Sequence, residues 1–233
     1  PGYKDIDEPD DIRYAHVRRH LGIHDWVTLC NQSSEPLLRR YFEAFCSGKL
    51  HFMDPWPTFK RLRPVTKGIV FKLLHCGEDR MSWFRDTFNG RVVLLLRHPI
   101  PVTLSREVFP RLEAFLDSDY RRHFTREQLA FARQVIDGGS RLERGVLDWA
   151  LKNSVPLKAA EPDWIVLTYE QLLLDPEPCI ERLASELNLP DPELMRRSVA
   201  VPSSTVRKSD RATARVLSGP ETEDKKRWLL EKW

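Results

Sequence analysis

Arg97 and Ser105 stand eight positions apart in Arg97-His-Pro-Ile-Pro-Val-Thr-Leu-Ser105, where the chain leaves an apolar run and enters a turn. A strand that ends there and passes into a helix offers backbone N–H groups and the positive end of a helix dipole, a setting that suits phosphate. Pro101 fits the first helical turn, where an N–H has no partner to lose. Arg97 would add a forked, permanently charged donor and Ser105 a hydroxyl. The same residues also fit an ordinary strand-to-helix turn whose arginine pairs with a surface carboxylate. A second basic pair, Arg207-Lys208, lies in the polar loop Ser203–Arg211 and reads either as an anion clamp or as solvated charge. Other chemistries find less support. Cys30, Cys46, Cys76 and Cys179 are scattered, with no C-x-x-C pair and no Cys/His metal spacing, so no metal is expected. No spacing supports a nucleophilic triad.

Groups at a strand's end need a sheet to hold them. Gly68–Leu74, Arg91–Leu96 and Trp164–Thr168 are short, almost wholly apolar and bounded by turn residues, as parallel strands covered on both faces should be. Helical stretches are expected at Asp79–Phe88, Pro101–Val108, Thr125–Lys152, Pro176–Leu187 and Glu221–Trp233. Another, Glu35–Cys46, carries Leu37, Leu38, Tyr41, Phe42 and Phe45 on one apolar face. Strands separated by helices call for crossover connections, hence an α/β fold with a mostly parallel sheet. A chain of 233 residues with 41% hydrophobic content can bury one sizeable core, so residues 1–233 are read as a single domain. The 37 basic and 34 acidic residues leave +3, too little for a nucleic-acid coat but compatible with a pocket for a small polyanion. Neither a signal peptide nor an apolar run of about 18 residues occurs, which makes a soluble, cytoplasmic protein without a membrane span the default expectation. The first residue is Pro1, so upstream residues, including a removed anchor, stay open.

The strand and turn at Arg97–Ser105 resemble the 3′-phosphate-binding motif of sulfotransferases that use 3′-phosphoadenosine 5′-phosphosulfate (PAPS). There an apolar strand is followed by Arg-Asn/Asp-Pro and, eight positions after the arginine, by serine. His98 replaces the usual Asn or Asp. The segment Trp164-Ile-Val-Leu-Thr-Tyr-Glu-Gln-Leu-Leu-Leu-Asp-Pro176 is similar to the family's strand and Tyr-Glu-x-Leu-x-x-Asp-Pro run, and Ile180–Leu189 resembles the helix that follows it. The resemblance implies a three-layer α/β fold of the P-loop nucleotide hydrolase type, with PAPS as co-substrate, adenosine 3′,5′-bisphosphate as product and no metal. Arg97 and Ser105 would hold the 3′-phosphate, and Tyr169 would meet the adenine or simply pack in the core. Arg207-Lys208 match the first two positions of a late Arg-Lys-Gly loop, with Ser209 in place of the glycine. The family's opening strand and its Ser-Gly-Thr-type loop for the 5′-phosphosulfate do not occur. Asp7-Glu8-Pro9 and the helix after it resemble the family's segment just downstream of that loop, which places the loop upstream of Pro1; a degenerate family member is the alternative.

Sulfuryl transfer needs an in-line acceptor, a base and positive charge near the leaving oxygen. Relatives carry Lys-Thr-His on a strand, and the matching strand here reads Phe-Lys72-Leu-Leu-His75. With a spacing of three, Lys72 and His75 would point to opposite faces unless the strand ends before His75. Otherwise His75 is a strand-end histidine bonded to backbone. Glu78 and Asp54 are weaker carboxylate candidates. Phe109–Gly145 matches the family poorly and is where contacts to a small-molecule, lipid or carbohydrate acceptor would lie. Arg111, Arg121, Arg122 and Arg126 there suit either an anionic substrate or a solvated basic face. A nucleoside kinase would share the sheet, but no strand-end aspartate or phosphate loop offers magnesium a place. A non-catalytic nucleotide-binding or interaction protein on a decayed fold stays open.

Overall fold

Strand β1 (Tyr3–Asp7) runs parallel to β2 (Gly68–Lys72), with Tyr3 opposite Gly68 and Asp7 opposite Lys72. Strand β3 (Val93–Leu96) runs parallel to β4 (Ile165–Thr168), with Val93 opposite Ile165 and Leu96 opposite Thr168. The computed structural model describes residues 3–50, 68–73, 75, 77–106, 109–189 and 191–199. Among them the chain is a mixed helix and strand protein, mostly helical, whose strands form these two parallel pairs. It folds as two compact units. One draws on Pro1–Gly90 and Val108–Ala159, the other on Arg91–Glu107 and Ala160–Trp233.

In the first unit, β1 and β2 pack under an aromatic cluster. The helix Glu35–Cys46 places Leu38, Tyr41, Phe42 and Phe45 inward at helical spacing, all nearly inaccessible. Phe42 meets Phe71 of β2 and Phe84 edge-on, with ring centroids 5.0 and 4.9 Å away. Tyr41 turns its hydroxyl to the Pro9 carbonyl at 2.6 Å, which fixes the chain leaving β1. A second core gathers Cys30, Phe115, Tyr120, Leu151 and Val155. In the other unit Ile165 and Leu167 of β4 bury against Cys179 and Leu183 of the helix Pro176–Glu186.

Several boundaries differ from the sequence reading. The expected helix Thr125–Lys152 is two helices, Arg126–Gly138 and Arg141–Ala159. Ser140 and Glu143 exchange capping hydrogen bonds between side chain and backbone, and a Cβ on Gly139 would meet the Val135 carbonyl oxygen at 2.5 Å. Strand β2 stops at Lys72, because the chain then turns so that the His75 N–H can reach Asp10. The strands are not covered on both faces: Val70 is 52% exposed, Val93 41% and Leu95 53%. The helix expected at Glu221–Trp233 lies outside the described residues. Among the described residues no helix is long and apolar enough to cross a membrane.

Candidate functional site

Leu96 and Thr168 are partners at the ends of two parallel strands, so the residues that follow them leave from the same edge. Ligands of open parallel sheets bind at such carboxyl ends. Arg97 follows Leu96, and Tyr169 follows Thr168 as the first residue of the helix Tyr169–Leu174. Thr168 and Gln171 form a capping box: the threonine hydroxyl accepts from the Gln171 N–H and the Gln171 side chain accepts from the Thr168 N–H, both at 3.1 Å. That cap fixes where Tyr169 stands. The Arg97 guanidinium carbon lies 4.7 Å from the Tyr169 ring centroid, a cation–π contact between half-buried groups.

The backbone donors expected at this junction are already committed. His98, and not a residue nearer Pro101, caps the helix Pro99–Leu104 by accepting at Nδ1 from the Ile100 N–H at 3.3 Å. The His98 N–H donates to Glu170 Oε1 at 2.9 Å, and Pro99 and Pro101 carry no N–H. Ser105, expected in the early helix, instead follows its last residue, and its hydroxyl donates to the Val102 carbonyl at 2.8 Å. The helix starts two residues before Pro101, which moves Ser105 to the opposite end. The structure therefore brings Arg97 and Tyr169 together, with Glu170 beside them. Arg207 and Lys208 lie outside the described residues.

The first unit has its own carboxyl edge. Glu8 follows β1 in the left-handed region, with φ 47°, and its N–H continues the ladder to the Lys72 carbonyl at 3.1 Å. A side-chain-bearing residue held there is strained, and such positions concentrate at functional sites. Lys72 Nζ lies 3.2 Å from Glu8 Oε1, an ion pair open to solvent. Behind it Asp10 and Asp11 are fully buried. Asp10 accepts the His75 N–H at 2.8 Å; Asp11 receives the Arg13 fork, with Nε 2.9 Å from Oδ1 and Nη2 2.7 Å from Oδ2. Burial pushes the Asp11 carboxyl up, but the Arg13 hydrogen bonds outweigh it and hold the group below its usual range.

His75 is 6% exposed, and neither ring nitrogen has a hydrogen-bond partner among the described residues. Its Nε2 lies 3.8 Å from Asp11 Oδ2, and its ring is 5.3 Å from that of Trp26, held by a helix that Asp25 caps. Burial and then the nearby Arg111 charge push its pKa down to about 3, against the pull of Asp11 and Glu78. At neutral pH it is an uncharged and weakly basic imidazole. Lys72 and His75 thus belong to the same strand end but differ in access.

Arg111 is neither a substrate contact nor part of a solvated basic face. It is fully buried, donates to the His75 carbonyl and grips both oxygens of Glu78. Burial pushes the Glu78 carboxyl up, and the Arg111 charge and hydrogen bonds more than reverse this, leaving it low. Glu78 accordingly serves as the counter-charge of Arg111. Arg122 pairs with Asp79 at 2.9 Å. Asp54 lies outside the described residues.

Sequence reasoning passed over the grouping of Glu8, Asp11 and His75, each of which offers one metal-ligand atom within 4.8 Å of the others. The run of acids Asp7–Asp11, interrupted only by Pro9, was the visible signal. Comparison of the chain with family models, curated proteins and solved structures gives no match in any of the three.

Proposed function

We propose that the protein is a PAPS-dependent sulfotransferase, in which the edge of β3 and β4 receives the 3′-phosphoadenosine end of the donor. The observation that carries this reading is the stacking of Arg97 on Tyr169, each the first residue beyond its parallel strand. An arginine fork suits a phosphate, and a tyrosine ring with a polar tip suits the edge of a purine. Since the helix start has no backbone N–H to spare, phosphate affinity rests on side chains. The Glu170 carboxylate marks the His98 N–H as a position where an anionic oxygen is accepted. In this reading Arg207 and Lys208 add charge, and Ser105 adds its hydroxyl only after giving up Val102. The finer fold that accompanies the reading is the three-layer sheet of the family.

The transfer itself needs positive charge near the departing bridging oxygen and a base for the acceptor proton. The chemistry calls on no metal. The acceptor is a hydroxyl or amine on a small molecule, lipid or carbohydrate, and scattered cysteines favour the cytoplasm as the compartment.

Adenosine 3′,5′-bisphosphate at about a hundred times its dissociation constant should stabilise the chain by about 2.7 kcal/mol, or roughly 5–10 °C in Tm. Arg97→Ala should remove most of that rise, because charged hydrogen bonds contribute about 1.5–3 kcal/mol each. An equal rise in wild type and variant would sink the assignment. Magnesium-dependent ATP turnover without response to the bisphosphate would point to a kinase instead.

A further inference from the structure

We infer that Glu8, Asp11 and His75 form a site for a first-row divalent transition ion, of the zinc or manganese kind, at the carboxyl edge of β1 and β2. The site goes beyond the sulfotransferase reading and lies wholly within the first unit.

His75 is the observation that points to a ligand. An imidazole this buried ordinarily donates from one nitrogen and accepts at the other. Here both nitrogens lack a hydrogen-bond partner among the described residues, at 6% exposure. Its Nε2 faces the Asp11 carboxylate at 3.8 Å, too long for a hydrogen bond. Two ligands of an ion bound at about 2.1 Å lie about 3.0–3.4 Å apart, so a cation between them requires only a small closure.

Glu8 completes the set, with its ligand atom within 4.8 Å of the other two. Its side chain is 24% exposed, which leaves the ion a path from solvent. The left-handed backbone at Glu8 and the ladder bond to Lys72 hold this carboxylate at the strand end. The three residues are oriented from behind, as ligands of bound metals generally are. Asp10 holds the His75 backbone, Arg13 holds Asp11, and Trp26 walls the ring.

Two cations already touch the carboxylates, and each can accommodate the ion. Lys72 is 52% exposed and can swing into water when Glu8 turns inward. Arg13, 49% exposed, can keep one oxygen of Asp11 while the other turns to the metal. One imidazole nitrogen and two carboxylates favour manganese, iron, cobalt or zinc over calcium and magnesium, which prefer oxygen alone.

The test is titration of the intact, chelator-treated chain with cobalt chloride, followed by visible absorption, and with zinc, manganese and magnesium chlorides, followed by calorimetry. The expected result is one equivalent of cobalt with a d–d band shifted by nitrogen ligation, and zinc bound at least tenfold more tightly than magnesium. His75→Ala and Glu8→Gln should each weaken zinc at least tenfold. Glu8→Gln sits at the accessible rim, so it keeps the test valid should His75→Ala fail to fold by circular dichroism. Absence of binding, or binding unchanged in Glu8→Gln, would overturn the site. Adenosine 3′,5′-bisphosphate binding is scored separately, and its failure would leave this result standing.

Discussion

Replacing Arg111 by methionine tests how the first unit holds its buried charge. The substitution keeps an unbranched apolar stem against Phe115 and Trp26, whose ring centroids lie 4.9 and 5.9 Å from the guanidinium carbon. What it removes is the fork that grips Glu78 and the donor to the His75 carbonyl. Glu78 is then left ionised beneath the surface, with its side chain 12% exposed. Breaking a buried pair from one side costs about 3–5 kcal/mol, because the surviving charge has lost both water and partner. For a chain of this size that is roughly 6–20 °C in Tm. Urea unfolding followed by tryptophan fluorescence is the assay, since Trp26 adjoins the substituted group. The double variant Arg111→Met/Glu78→Gln should recover at least about 1 kcal/mol, as two contacting residues couple and the stranded charge is gone.

The pH dependence has a definite sign. The Glu78 carboxyl is lower in the folded chain than its ordinary 4.5, so its stabilising contribution is complete above that value and disappears as pH falls through the lower folded pKa. Glu78→Gln should flatten that part of the acid limb. A loss below about 1 kcal/mol in Arg111→Met, or a double variant no more stable than the single, would refute a buried pair of this kind.

Local structure sets two further outcomes. Cys30 is buried, which pushes its thiol up to about 12, whereas Cys46 is exposed; at pH 8 a thiol reagent should label Cys46 while Cys30 stays unmodified until the chain unfolds, as peptide mapping would show. Thr168→Ala removes the cap before Tyr169 and should cost about 1 kcal/mol, read by thermal melting, with weaker adenosine 3′,5′-bisphosphate binding where that cap positions the ring.

Local pattern predicted best those elements whose own residues decide them. Glu35–Cys46 was legible to the residue because five apolar side chains repeat at helical spacing and Pro36 sits in the first turn. The cores of β2, β3 and β4 were legible as apolar runs, although each strand is shorter than its run. Strand β1 was not, since Tyr-Lys-Asp-Ile-Asp has neither an apolar run nor a clear alternation, and its extended form comes from pairing with β2. The polar cluster was hidden for the same reason. His75 meets Asp10 across 65 positions and Arg111 meets Glu78 across 33, distances over which spacing carries no information.

The Arg97 junction shows where motif reasoning overreached. The order of strand, turn and helix follows from the sequence, but the helix starts at Pro99 and not at Pro101, and free backbone donors are what the geometry common to helix starts implies. Here the sequence itself withdraws them. Two prolines remove two N–H groups, the His98 ring takes the one at Ile100, and Glu170 takes the one at His98. The Glu170 carboxylate is supplied by β4's continuation, which the parallel register of Leu96 with Thr168 brings alongside. Any anion at this edge must therefore be held by Arg97 or displace Glu170. Glu170→Gln should tighten phosphate binding by removing like charge, and a weaker affinity in that variant would mean that the carboxylate organises the edge for its ligand.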